Sequence, residues 1–88
     1  MEITFPELVK PKVTALGTVT FQAQVDGEYI WCEVSIEVLI HHCSAPSRNS
    51  SDLLHSFQQC RQRILHTAKK YLEMNGGRSV LLMTRDFC

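Results

Sequence analysis

A tight reversal at Asp26 and Gly27 is the feature that most constrains how this chain can fold. Residues 18–25 alternate strictly between polar and apolar side chains, and residues 28–34 resume a two-residue alternation after the Asp-Gly pair. Asp-Gly between two such runs is a strong signal for a two-residue type I′ turn. The resulting register pairs Val25 with Glu28, Ala23 with Ile30, Phe21 with Cys32 and Val19 with Val34.

This register gives the predicted hairpin two different faces. The residues at positions 19, 21, 23, 30, 32 and 34 are apolar and should point into the core together. The opposite face then carries polar and aromatic side chains, namely Thr20, Gln22, Gln24, Tyr29, Trp31 and Glu33. A shift of one residue would destroy the match, so the alternation itself specifies the pairing.

Helical segments and further strands surround the hairpin. Ser35 is typical of an N-cap and predicts a short helix over residues 36–43. An apolar stripe predicts a long helix over residues 52–74, capped by a serine and ended by the glycines that follow Asn75. Residues 2–5 predict a short first strand, and Lys10-Pro11 a turn or edge kink. Residues 79–84 predict a last strand that is central or covered on both faces.

These elements predict an α+β fold with two layers. A mostly antiparallel sheet of three or four strands should carry one long and one short helix on one face. With 88 residues, we expect a single α+β domain spanning residues 1–88.

The motifs in combination resemble a bacterial domain of unknown function, family fourteen eighty-eight. The likeness covers nearly the whole chain and lies in the alternating hairpin from Phe21 to Ser35, Leu39, the Phe57-x-x-x-Arg61-x-x-Ile64 pattern, and a closing strand with Asp86. The family pattern is not followed at His41-His42-Cys43, and the tract at residues 6–16 matches it only loosely. The resemblance implies the fold and brings no activity, cofactor or catalytic residue.

Arg61 is the only charged residue inside the apolar stripe of the predicted long helix. A charge there needs a partner or must extend outward to water. One interpretation is a structural ion pair with a carboxylate of the sheet or short helix, for which the candidates are Glu33, Glu37 and Asp86. The other is a binding residue for an anionic ligand or a subunit, because a guanidinium forms bidentate contacts with carboxylate or phosphate.

Tyr29 and Trp31 form an exposed aromatic pair if only one face of the sheet is covered. They are either ordinary strand aromatics or binding residues of an interface, where aromatic side chains are enriched. We favour a homodimer through this face or through the sheet edge, since a small domain gains stability by dimerising.

The two halves of the chain carry opposite charge. Residues 1–47 hold two lysines and six acidic residues, whereas residues 48–88 hold seven basic and three acidic residues. A net charge of zero argues against a general nucleic-acid binder. Four basic residues nevertheless line the outer face of the predicted long helix, and they are either solvated or contact phosphates: Arg63, His66, Lys69 and Lys70.

Metal and cofactor sites have little support in the sequence. Imidazole and thiolate suit zinc, and such groups occur at His41, His42, Cys43, His55 and Cys60. Adjacent histidines point to different sides of a helix, so we expect a polar helix end with packed cysteines and neither a metal nor another cofactor. None of the four cysteines forms a C-x-x-C pair, which predicts free thiols in a reducing compartment.

We expect a protein that is not an enzyme, because the chain has no Gly-rich phosphate loop and no paired carboxylates at a suggestive spacing. It also lacks an apolar run of about 18 residues, so no membrane span is predicted, and its first ten residues do not resemble a secretory signal. The resulting hypothesis is a cytoplasmic interaction or regulatory module, a homodimer that binds another protein. The alternative is a nucleic-acid-associated accessory protein that uses the basic helix face.

Overall fold

The central hairpin forms as the sequence predicts. The computed structural model describes residues 1–87, in which β3 (Thr18–Val25) and β4 (Glu28–Ser35) pair antiparallel. Their register matches the predicted one from Val25 opposite Glu28 to Val19 opposite Val34. Asp26 and Gly27 have φ values of 50° and 88°, the left-handed conformation that a type I′ turn requires at both central residues.

The remaining elements follow the order of the chain. β1 and β2 precede the hairpin, three helices follow it, and β5 and a single 3₁₀ turn close the described part: β1 (Ile3–Thr4), β2 (Lys12–Val13), α1 (Ile36–His42), α2 (Ser50–Gln59), α3 (Arg61–Asn75), β5 (Leu81–Leu82) and Thr84–Phe87. No helix within residues 1–87 is long and apolar enough to cross a membrane.

The sheet has five strands and is mostly antiparallel. Both β1 and β2 pair antiparallel with β3, whereas β5 pairs parallel with the other side of β4. The predicted first strand is present, and β2 follows Pro11 where only a turn or kink was expected. The last strand was predicted over residues 79–84, central or covered on both faces, and this prediction is wrong. β5 has two residues and lies at the edge, with Leu81 exposed and Leu82 buried.

The core lies between the inner face of the hairpin and the helices. The predicted inward residues of β3 and β4 are buried, apart from Ile30, which is partly buried and packs against the core. Their largest fully buried helical partners include Leu39, Leu53, Phe57 and Ile64. This arrangement confirms the two-layer α+β class, in which the helices cover one face of the sheet and leave the other open.

The predicted long helix is interrupted at Cys60. α2 ends at Gln59, Cys60 adopts φ −98° and ψ 8°, and α3 begins at Arg61. The N-cap of α2 is Asn49, without a side-chain cap bond, rather than the predicted serine. The other two ends are as predicted, because Ser35 accepts a hydrogen bond from the Glu37 N–H and Gly76 ends α3 in the left-handed conformation.

A disulfide joins Cys43, at the C-terminal end of α1, to Cys60 at the junction of α2 and α3. The expectation of free thiols is therefore wrong for these two residues, whose Cα atoms lie 5.9 Å apart despite a separation of 17 residues. Cys32 is a free thiol, as predicted, and burial raises its pKa more than a hydrogen bond from the Val80 backbone lowers it. Cys88 lies outside the described residues.

Candidate interaction surface

The outer face of the sheet carries an exposed apolar patch. Tyr29 and Trp31 are 61% and 48% exposed, and both point away from the helices because they alternate with the buried residues of β4. The register places Gln24 beside Tyr29 and Gln22 beside Trp31 on β3. The predicted exposure of the two aromatic side chains is thus confirmed.

Leu81 in the neighbouring strand and Met83 just after that strand extend this patch. β5 pairs Leu81 with Glu33, so the Leu81 side chain lies on the same face, one step along the sheet from Trp31. Leu81 is 49% exposed and Met83 36% exposed. We call Tyr29, Trp31, Leu81 and Met83 the open-face patch.

The edge of β4 beside the patch has no strand partner along most of its length. The Glu33 N–H donates to the Val80 carbonyl at 2.9 Å, which shows that residue 33 directs its backbone groups toward β5. The backbone groups of Tyr29 and Trp31 point the same way, because strand residues alternate. β5 pairs with β4 only at Glu33 and Val34, so within residues 1–87 no strand covers this part of the edge.

Arg61 lies in the helical layer, away from the open-face patch. Its side chain is 25% exposed, and its ionic partner is Glu7, whose carboxylate lies 4.0 Å away on a side chain that is 85% exposed. An ion pair therefore forms, but with a residue that the sequence did not suggest. The three suggested carboxylates have other partners, since Thr18 donates to Glu33, Arg48 to Glu37 and Tyr71 to Asp86.

A groove of about 420 Å³ runs between β5 and the C-terminal end of α3. The Tyr71 hydroxyl donates to Asp86 Oδ1 at 2.9 Å, and Asp86 Oδ2 accepts from the Met83 N–H at 2.7 Å. The hydrogen bond to the Asp86 carboxylate raises the pKa of Tyr71. Oδ1 of Asp86 thus joins the 3₁₀ turn to α3, whereas Oδ2 makes a local bond at the start of the turn. Leu81 connects the groove to the open-face patch.

The basic face of α3 is partly committed to internal contacts. The Arg63 guanidinium donates to the His42 carbonyl at 3.4 Å and to the Phe87 carbonyl at 3.3 Å. It also lies 5.8 Å from the centre of the Phe87 ring. Arg63, His66, Lys69 and Lys70 are all exposed, as predicted. Of these four, Arg63 already uses its guanidinium in contacts within the protein.

The histidines and cysteines considered as metal ligands are dispersed. His41 lies 3.4 Å from a Glu37 carboxylate oxygen, and the His42 ring packs against Phe87. Cys43 and Cys60 are consumed by the disulfide. In the part of the chain that the structure describes, no three potential ligands from His, Cys, Asp or Glu are grouped to hold a metal ion.

The structure thus brings Tyr29 and Trp31 together on the open face and separates them from Arg61. Leu81 and Met83 were missed because the last strand was predicted to be covered. Their alternation with buried Leu82 is the signal that could have placed them on an outer face. Glu7 was missed as the partner of Arg61 because its segment showed no regular pattern.

Together, the open mixed sheet, the helical layer and the exposed patch define a small α+β sandwich protein. Its match to the family "Protein of unknown function (DUF1488)" spans residues 3–82, and the chain belongs to that family. It is also similar to a crystal structure at 1.60 Å resolution of a protein of unknown function from the same family, from Shewanella loihica PV-4. The two chains share 29% sequence identity with a TM-score of 0.76, covering 91% of this chain and 93% of the other. No curated protein matches the chain.

Proposed function

We propose that this protein is a non-enzymatic bacterial interaction module, which forms a homodimer and binds another protein. The observation that carries the proposal is the open-face patch, where four large apolar side chains are exposed on β4, on β5 and just after β5. Single exposed apolar residues are normal on a protein surface, whereas a contiguous patch marks a binding surface. Tyrosine and tryptophan are also the residue types that dominate the energetics of interfaces.

The occupant that best fits the patch is a second copy of the chain. The free edge of β4 at Tyr29 and Trp31 offers backbone donors and acceptors to an added strand. If two copies pair antiparallel about Ile30, Tyr29 of each copy lies beside Trp31 of the other. This isologous arrangement satisfies both edges at once and joins two patches into one larger apolar surface. The enlarged surface is where we place the further protein partner.

Charge argues against nucleic acid at this surface. Glu28 and Asp26 at the tip of the hairpin and Glu33 beside the patch make this region acidic, and acidic groups repel phosphates. The alternative function, a nucleic-acid-associated accessory protein, would use the basic face of α3 at Arg63, His66, Lys69 and Lys70. It is less well supported because the exposed aromatic residues that could stack on bases lie on the other layer.

Sedimentation and light scattering test the homodimer with a matched pair of variants. Trp31→Ser removes the centre of the patch, whereas Leu16→Ser removes a side chain that is 88% exposed but lies in the loop before β3. We expect Trp31→Ser to weaken self-association about 30-fold or more, as loss of an interface hot spot does. Leu16→Ser should leave it unchanged. A wild-type protein that stays monomeric at high micromolar concentration would contradict the proposal.

Trp31 also supplies a direct probe, since it is the single tryptophan of the chain. Its emission should shift to longer wavelength on dilution, because Trp31 then loses its contact with Tyr29 of the other copy. Capture of a partner protein with wild-type bait, and its loss with Trp31→Ser bait of unchanged thermal stability, would support the second half of the proposal. Equal capture by both baits would place the partner elsewhere.

A further inference from the structure

A second cleft lies on the helical side of the molecule, between the segment after β1 and the start of α3. Its volume is about 270 Å³. The polar side chains around it are Glu7, Lys10, Gln58 and Arg61. Its apolar walls are formed by Val9, Pro11 and Leu54, all partly buried. A charged end and an apolar surface therefore meet within one small cleft, which is the usual composition of a small-molecule site.

The guanidinium of Arg61 is poorly satisfied by the protein. Three quarters of the side chain is removed from water, yet no hydrogen bond to the guanidinium is found within residues 1–87. Its contact with Glu7, at 4.0 Å, is the longest ion pair in that part of the chain, where Arg48 and Glu37 lie 2.6 Å apart. A guanidinium offers five donors in a planar fork, so Arg61 keeps donors that face the cleft.

The charges around the cleft favour an anion. Arg61 and Lys10 outnumber Glu7, which is the only carboxylate among the lining residues. The carboxylate of Glu7 stands near Arg61 on a side chain that is 85% exposed, so little fixes it there. A ligand carboxylate that binds the guanidinium in a bidentate manner would form shorter hydrogen bonds than Glu7 does.

We propose that this cleft binds a small organic carboxylate, with Arg61 holding the carboxylate group and Leu54, Val9 and Pro11 contacting the apolar remainder. Glu7 is the internal competitor that the ligand displaces, and the Gln58 amide and Lys10 ammonium are further donors at the charged end. The cleft is separate from the open-face patch, so the proposal of a carboxylate site does not depend on the proposal of a homodimer.

Amide NMR titration with sodium hexanoate tests the site, with hexanol and inorganic phosphate as comparison ligands. We expect hexanoate to shift the resonances of Leu54, Gln58 and Arg61 in a saturable manner. Arg61→Gln should weaken its binding about tenfold or more, as loss of a charge-assisted hydrogen bond does. Arg78→Gln, which removes an exposed arginine outside the cleft, should leave the affinity unchanged.

Glu7→Gln supplies a test that does not depend on the folding of an Arg61 variant. Removing the internal competitor should tighten hexanoate binding about two- to fivefold, the range of an exposed ion pair. The proposal is overturned if hexanol binds as well as hexanoate, if phosphate matches hexanoate, or if a folded Arg61→Gln protein binds like wild type. Weaker binding by Glu7→Gln would also overturn it, because Glu7 would then be part of the site.

Discussion

The two glycines after α3 offer a matched test of how the chain passes from the helix to the last strand. Gly76 and Gly77 have φ values of 76° and 87°, so an alanine is strained at either position. Their surroundings differ, because a Cβ at Gly76 meets no atom within 4 Å, whereas a Cβ at Gly77 lies 2.9 Å from Val25 Cγ1. Val25 is a buried residue of β3 and has little freedom to move.

The two substitutions should therefore differ in cost. Gly76→Ala should lower the free energy of unfolding by about 1 kcal/mol, since left-handed strain is partly offset by reduced freedom in the unfolded chain. Gly77→Ala should cost about 2–4 kcal/mol, because overpacking of Val25 adds about 1–3 kcal/mol. Urea unfolding followed by circular dichroism measures both free energies, and the dependence of the unfolding free energy on urea concentration should be the same for both variants as for the wild type.

A double-mutant cycle isolates the contact with Val25. Val25→Ala removes the methyl group that meets the new Cβ, so the pair Gly77→Ala and Val25→Ala should cost about 1–3 kcal/mol less than the sum of the single changes. Equal costs for Gly76→Ala and Gly77→Ala, or strict additivity in the cycle, would refute the close approach of Gly77 to β3.

Two further predictions concern the helical layer. Replacing Cys43 and Cys60 by serine should lower the free energy of unfolding by about 3 kcal/mol, the chain-entropy value for a separation of 17 residues, and mass measurement should show the wild type two hydrogens lighter than its reduced form. In a Tyr29→Phe protein, Tyr71 is the only tyrosine. We expect its pKa, followed by phenolate absorbance, to lie above the ordinary value of about 10. The substitution Asp86→Asn should lower that pKa, because it removes the carboxylate that accepts from the Tyr71 hydroxyl. The pKa of Tyr71 is higher in the folded protein than in the unfolded chain. The Tyr71–Asp86 hydrogen bond therefore stabilises the fold fully below the ordinary pKa, and this stabilisation is lost as the pH rises through the folded-state pKa. An unchanged titration midpoint for Tyr71 in the Asp86→Asn protein would contradict the assignment of the raised pKa to this hydrogen bond.

The hairpin could be predicted in full because all of its information is local. Two residues at the turn and the alternation on either side determine the pairing, and the structure repeats each predicted partner from Val25 and Glu28 onward. The exposure of Tyr29 and Trp31 follows from the same alternation once one face is assigned to the core. The N-cap at Ser35 and the helix end at Gly76 are equally local signals.

The remaining features depend on contacts between distant parts of the chain. Cys43 meets Cys60 only after α1 and α2 have packed, so spacing alone suggested free thiols. The apolar stripe runs unbroken through Cys60, and periodicity could not reveal the break between α2 and α3. β5 pairs parallel with β4 at only two residues, and this pairing between distant parts of the chain leaves Leu81 at an edge of the sheet. The pairing of Arg61 with Glu7 likewise requires the fold of the segment after β1.

The disulfide has a mechanical consequence for the molecule. It fastens the end of α1 to the point where α2 gives way to α3, so the three helices are tied at a common vertex. Relative sliding of any one helix is then restrained by the other two. In sub-global opening, the three linked helices should accordingly separate from the strands as one cooperative unit. Native-state hydrogen exchange should therefore give similar opening free energies along all three helices.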